Sequence, residues 1–120
     1  MSKLYFRYGA MNSGKSTALL QAAFNYEERS QHVLLAKPAI DSKGDRSIVS
    51  RLGVSRNVDF LVEPAANLRT LFAAHSKEFE SRTGQKIACL LLDESQFLTA
   101  EQVDQALEIA VLDGVPVLAY

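Results

Sequence analysis

The hydrophobic pattern along the chain switches repeatedly between a period near two and a period near 3.6, which predicts alternating strands and helices. Leu4 to Tyr8 is a compact strand candidate, and "KSTALLQAAFNYEER" follows as a helix with Ala18, Leu19, Ala22, Ala23 and Tyr26 on one face. "HVLLAKP" predicts a second strand stopped by Pro38, and "VDFLV" a short strand leading to Pro64. In "AANLRTLFAAHSKEFES" the residues Leu68, Leu71, Phe72, His75 and Phe79 fall along one helical stripe. "KIACLLLDE" is apolar without interruption from Ile87 to Leu92, the mark of a strand buried on both faces in a parallel sheet. Thr99 followed by Gln102 predicts a capping box, with Val103, Ala106, Leu107 and Ala110 as the apolar stripe of a helix that Gly114 ends and Pro116 cannot continue. "VPVLAY" reads as one more strand, whereas residues 41–57 are polar, glycine-bearing and aperiodic and predict a long loop. The sum is one three-layer α/β domain over residues 1–120 with a mainly parallel sheet.

Composition narrows the function classes. At 120 residues and 48% hydrophobic content the chain is long enough for a real core. A formal charge of −1 offers no long-range attraction for a polyanion, so neither nucleic-acid nor membrane-surface binding is expected. The single cysteine, Cys89, has no internal disulfide partner, no stretch approaches a membrane span, and the N-terminus lacks a signal peptide's apolar core, so a cytoplasmic location is expected.

The candidate chemistry begins at "GAMNSGKS". Gly9, Gly14, Lys15 and Ser16 satisfy the phosphate-loop pattern, with a predicted strand before it and a helix after it. Glycines let the backbone N–H groups of Gly9, Ala10, Met11, Asn12, Ser13 and Gly14 curl around a polyphosphate, and the helix adds its positive end. Lys15 would reach the β- and γ-phosphates of ATP, and the Ser16 hydroxyl would bind magnesium. Such a site also needs an acid at the end of a buried strand. Asp93 stands there, directly after Leu92, and with Glu94, Ser95 and Gln96 forms the downstream part of the expected ATP site. Glu94 beside it could take a proton from the group that attacks the γ-phosphate. If that group is water the protein is an ATPase; if it is a substrate hydroxyl, a kinase. The pair "DE" alone does not choose.

Together, "GAMNSGKS" and "DESQFLT" resemble the zinc-containing, cellular and bacterial (type II) thymidine kinases. The phosphate loop is similar to the family's G-x-M-x-S/A-G-K-S/T at Gly9, Met11, Ser13, Gly14, Lys15 and Ser16, and the strand end to D-E-x-Q-F at Asp93, Glu94, Gln96 and Phe97. Further likeness lies in "LYFRYGAMNSGKSTALLQAAFNYEER", "IDSKGDRSIVSRLGV" and "VPVLAY", so it spans essentially the whole chain. The resemblance implies phosphorylation of the 5′-hydroxyl of thymidine or deoxyuridine by ATP, with Glu94 as general base and with Lys15, Ser16 and Asp93 holding ATP and magnesium. Met11 would lie beside the thymine ring, Gln96 would arrange the site through its amide, and Phe97 would give the nucleoside an apolar surface. Read without the family, Phe97 is equally a core anchor for the helix after Thr99. Asp41 is similar to a family acid near the phosphates. Where the family has arginine two residues later this chain has Lys43, so Lys43 and Arg46 both stand for that role, and a solvated loop is the plainer reading of all three.

The family's zinc, held by four cysteines or histidines, and its lasso loop around thymidine are expected in a following region that this chain stops short of. Cys89 reads as a core residue, and His32 and His75 as structural, with no zinc ligand in this chain. The resemblance also implies a homotetramer. Three readings are carried forward: a thymidine kinase or its nucleotide-binding N-terminal part, an ATPase in which Glu94 polarises water, and a nucleotide-binding module without turnover.

Overall fold

The computed structural model describes residues 2–7, 15–39, 47–49 and 55–120. Its elements are β1 (Leu4–Phe6), α1 (Lys15–Glu28), β2 (His32–Pro38), β3 (Ser47–Val49), β4 (Ser55–Asn57), β5 (Phe60–Val62), α2 (Leu68–Thr83), β6 (Ile87–Leu92), a 3₁₀ turn (Ser95–Phe97), α3 (Ala100–Val111) and β7 (Val117–Ala119). Five strands form one parallel sheet in the order β1-β7-β6-β2-β5, and β3 and β4 form a separate antiparallel hairpin.

Beyond the register shift at the start of β2 and β6, the sheet divides its side chains between two layers, because successive residues of a strand point to opposite faces. Val33 and Leu35 of β2, Cys89 and Leu91 of β6, and Tyr120 pack with Leu19, Leu20 and Ala23 of α1. Leu34, Ala36, Leu90, Leu92, Val117 and Ala119 point the other way, onto Leu68 and Phe72 of α2 and Ala106, Ile109 and Ala110 of α3. Burial on both faces is why "HVLLAKP" and "IACLLL" are almost unbroken apolar runs.

The three-layer expectation holds, and several local ones shift. The predicted loop over residues 41–57 contains the β3–β4 hairpin, in which Ile48 is buried against the α1 layer. Arg56 pairs with Glu27 of α1 through two hydrogen bonds of 2.9 and 2.5 Å. Two adjacent apolar residues in β3, Ile48 and Val49, and none in β4 give too little periodicity to mark a strand. On α3 the buried face is Gln102, Ala106, Ile109 and Ala110, while Leu107 is exposed. The stripe rotates because Gln102, whose spacing from Thr99 marks it only as a capping residue, also points inward.

Gln102 is 2% exposed and shows how a buried amide is tolerated. Its Oε1 accepts from the Thr99 N–H at 3.0 Å, and its Nε2 donates to the carbonyls of Glu63 at 2.8 Å and Ala66 at 3.1 Å, tying the turn after β5 to the start of α3. Gln105 Oε1 accepts from the Leu68 N–H at 2.7 Å, and Asn67 caps α2, so two helix starts lock together. His32 packs on Phe79 and His75 stacks on Phe60, as structural histidines do.

Gln102→Leu keeps the volume but strands these backbone groups, and is expected to lower unfolding stability by about 1–3 kcal/mol, read as a reduced midpoint in urea with an unchanged slope.

Candidate active site

The carboxyl ends of parallel strands are where an open α/β sheet gathers its ligands, and of the sequence-predicted residues the described ones, Ser16 and Asp93 to Phe97, lie there. β6 closes the buried run at Leu92, and the next residue, Asp93, continues the alternation Cys89, Leu91, Asp93 toward the α1 layer. The Asp93 N–H donates to the Ala36 carbonyl at 2.9 Å, so its backbone still belongs to the sheet. From the facing helix, the Ser16 hydroxyl reaches Asp93 Oδ2 at 3.5 Å. That is long for a hydroxyl–carboxylate bond, which prefers about 2.5–3.0 Å. The two oxygens face one another without being tightly joined. Lys15 opens α1, as predicted.

Burial governs Asp93. The residue is 5% exposed, and desolvation, reinforced by the charge of Glu94, raises its pKa above the usual carboxylate value. The Glu94 N–H, the Lys37 ammonium and the Ser16 hydroxyl oppose this by stabilising the anion. A cation entering between Ser16 and Asp93 would relieve the same cost. Hydroxyl and carboxylate oxygens form a hard donor set suited to magnesium, which ordinarily takes one or two protein oxygens and fills its remaining positions with water and phosphate. Among the described residues no group of three or more potential metal-ligating side chains comes together.

Glu94 adopts a left-handed backbone, φ 53° and ψ 42°, a conformation rare outside glycine, asparagine and aspartate. The turn is held by its surroundings. The Ser95 N–H donates to the Tyr120 carbonyl at 2.9 Å, the Tyr120 N–H donates to the Leu92 carbonyl at 2.8 Å, and the Phe97 N–H donates to the Glu94 carbonyl at 3.1 Å. The result is a reversal directly after Asp93 that separates two adjacent carboxylates, one buried and one half-buried at the rim. Gln96 Nε2 donates to Glu94 Oε2 at 2.7 Å and fixes the rim carboxylate. Phe97 is 46% exposed and so is no core anchor for α3.

Ser16, Asp93, Glu94, Ser95, Gln96 and Phe97 thus lie along one edge. The side chain of Lys15, the loop residues Gly9, Ala10, Met11, Asn12, Ser13 and Gly14, and the candidates Asp41, Lys43 and Arg46 lie outside the described residues. Sequence reasoning missed Lys37, a buried lysine on the same edge. The signal was available, since a lone lysine closes the otherwise apolar run "VLLAKP". Cys89 is fully buried, and desolvation pushes its thiol up to about 11, as expected of a core cysteine.

The sequence matches the thymidine kinase family model over residues 2–120. The chain belongs to the thymidine kinase family. It is 48% identical over 124 residues to a thymidine kinase of Idiomarina loihiensis, 48% over 121 residues to one of Legionella pneumophila strain Paris, and 40% over 121 residues to one of Haemophilus influenzae strain Rd. Each alignment covers 100% of this chain and 59%, 55% and 59% of the relative. The chain therefore spans somewhat more than half the length of these thymidine kinases. Among its described residues no helix is long and apolar enough to cross a membrane.

Two outcomes are expected from the site's strain and charge. Glu94→Gly removes the penalty of a left-handed side-chain-bearing residue, so it is expected to unfold at higher denaturant than Glu94→Ala, by about 1 kcal/mol. For Asp93 the folded value is raised, so ionisation costs stability at neutral pH, and that cost vanishes below the unfolded value of 3.8. Asp93→Asn should therefore melt higher than the parent at pH 7, with the advantage closing as the pH falls to 3.8.

Proposed function

We propose that this chain is the nucleotide-binding part of a thymidine kinase that transfers the γ-phosphoryl group of ATP to the 5′-hydroxyl of thymidine or deoxyuridine, a pyrimidine-salvage reaction. The observation that carries the reading is the split pair of carboxylates at the end of β6, with Asp93 buried against Ser16 and Glu94 turned out and fixed by Gln96.

In this reading the backbone of Gly9 to Gly14 cradles the triphosphate, with Lys15 on the β- and γ-phosphates. Ser16 and Asp93 hold the magnesium ion, which when bound neutralises charge on the phosphates during transfer. Glu94 accepts the proton of the nucleoside hydroxyl, and Gln96 keeps its carboxylate aimed at the rim. The exposed ring of Phe97 offers the nucleoside an apolar surface, and Met11 lies beside the base. Asp41 and either Lys43 or Arg46 complete the phosphate side. A cytoplasmic homotetramer, with zinc bound by a following region, is part of the same proposal, which rests on family membership.

The test is product formation. With ATP and magnesium, thymidine and deoxyuridine but not purine nucleosides should yield the 5′-monophosphate. Glu94→Gln should reduce turnover by roughly 10²–10⁴-fold while ATP binding survives. ATP hydrolysis indifferent to thymidine would show that Glu94 activates water instead, and nucleotide binding without any turnover would leave a binding module.

A further inference from the structure

Lys37 is 7% exposed, which is unusual for a lysine, because removing an ammonium from water is costly unless partners compensate it. Its place is set by the alternation in β2. Val33 and Leu35 face the α1 layer, so Lys37, two residues on, continues that row. The parallel row in β6 is Cys89, Leu91, Asp93. Ala36 stands opposite Leu92, and the Asp93 N–H bonds the Ala36 carbonyl, so the two polar residues close adjacent rows on the same face. Lys37 is near enough to Asp93 to stabilise its anion without forming an ion pair with it. Its Nζ instead donates to the Ser47 carbonyl at 2.5 Å, on the first residue of β3.

Several contacts among the described residues hold the hairpin. Ile48 is buried beneath it, Arg56 holds Glu27 of α1, and Lys37 holds its first residue to the sheet edge. Of these, Lys37 is the one whose charge bears on Asp93. A buried charge whose hydrogen-bond partner among the described residues is a backbone carbonyl is a poor stabilising device, since an apolar side chain of similar length would fill the space without the desolvation cost. Its use must be found in where it holds the hairpin.

Resting on the nucleotide-binding reading above, we propose that Lys37 is a positioning residue of the phosphate site: its ammonium pins the Ser47 carbonyl beside Asp93 and fixes the β3–β4 hairpin against the edge where the triphosphate binds. It acts through the hairpin and does not touch the phosphates.

Two variants test this in the intact protein. Lys37→Met removes the charge at similar length, and Arg56→Met cuts the attachment on the other strand of the hairpin, opposite Ile48. Both should speed amide hydrogen exchange across residues 47–57. Both should raise the KM for ATP and the dissociation constant of ADP–magnesium, on the order of tenfold for Lys37→Met and less for Arg56→Met, with the KM for thymidine unchanged. A merely structural role would shrink the active fraction and leave both nucleotide constants where they were, which overturns the proposal. Loss of ADP affinity in Lys37→Met alone, with exchange unchanged, also overturns it by making Lys37 a direct phosphate ligand. Should Lys37→Met fail to fold, Arg56→Met decides the matter by the same two readouts. A parent protein that binds ADP but phosphorylates no thymidine would count against the proposed function only, because the ADP and exchange measurements need no acceptor.

Discussion

The pairing of β2 with β6 is the constraint on which the site depends. Both strands are buried on both faces, so their register cannot slip by one residue without driving every side chain into the wrong layer. That register puts Asp93 beside Lys37 and turns both toward the layer of α1, from which Ser16 faces Asp93. The polar edge is the place where two long apolar rows run out, and its geometry is inherited from the packing beneath it.

Charge is concentrated where the sheet is least able to solvate it. Asp93 and Lys37 are both buried, close enough to help one another, yet each keeps a separate partner, a hydroxyl in one case and a backbone carbonyl in the other. An arrangement designed for stability alone would join them or replace them with apolar residues. Keeping them apart leaves Asp93 oxygens facing Ser16 across a gap suited to a hard cation. The strain at Glu94 belongs to the same pattern, since a left-handed glutamate persists only where neighbouring hydrogen bonds from Ser95 and Tyr120 hold it.

Much of this was legible in the sequence, for identifiable reasons. The run from Ile87 to Leu92 announces a central parallel strand, and the carboxyl end of such a strand in an α/β fold is where chemistry gathers, so Asp93 and Glu94 stand out from sequence alone. Thr99 and Gln102 were readable as a capping box because that device is local, and the structure forms it. What could not be read depends on contacts between segments far apart. Gln102 also binds the carbonyls after β5, which turns α3 and exposes Leu107. The hairpin is fixed by Ile48, Arg56 and Lys37, each meeting a partner on another element. The left-handed Glu94 had no signal at all, since glutamate carries no preference for that conformation.

The position of β7 gives the sheet a particular order of assembly. It follows β6 in the chain yet lies between β1 and β6, with Val117 beside both Leu4 and Leu90. As the chain leaves the ribosome, β2, β5 and β6 can pair among themselves while β1 waits with no neighbour, and β6 presents an unpaired, wholly apolar edge. In the folded sheet β7 seats β1, covers that edge and leads to the Tyr120 carbonyl that holds the turn after Glu94. The turn after Glu94 and the middle of the sheet therefore depend on one and the same strand.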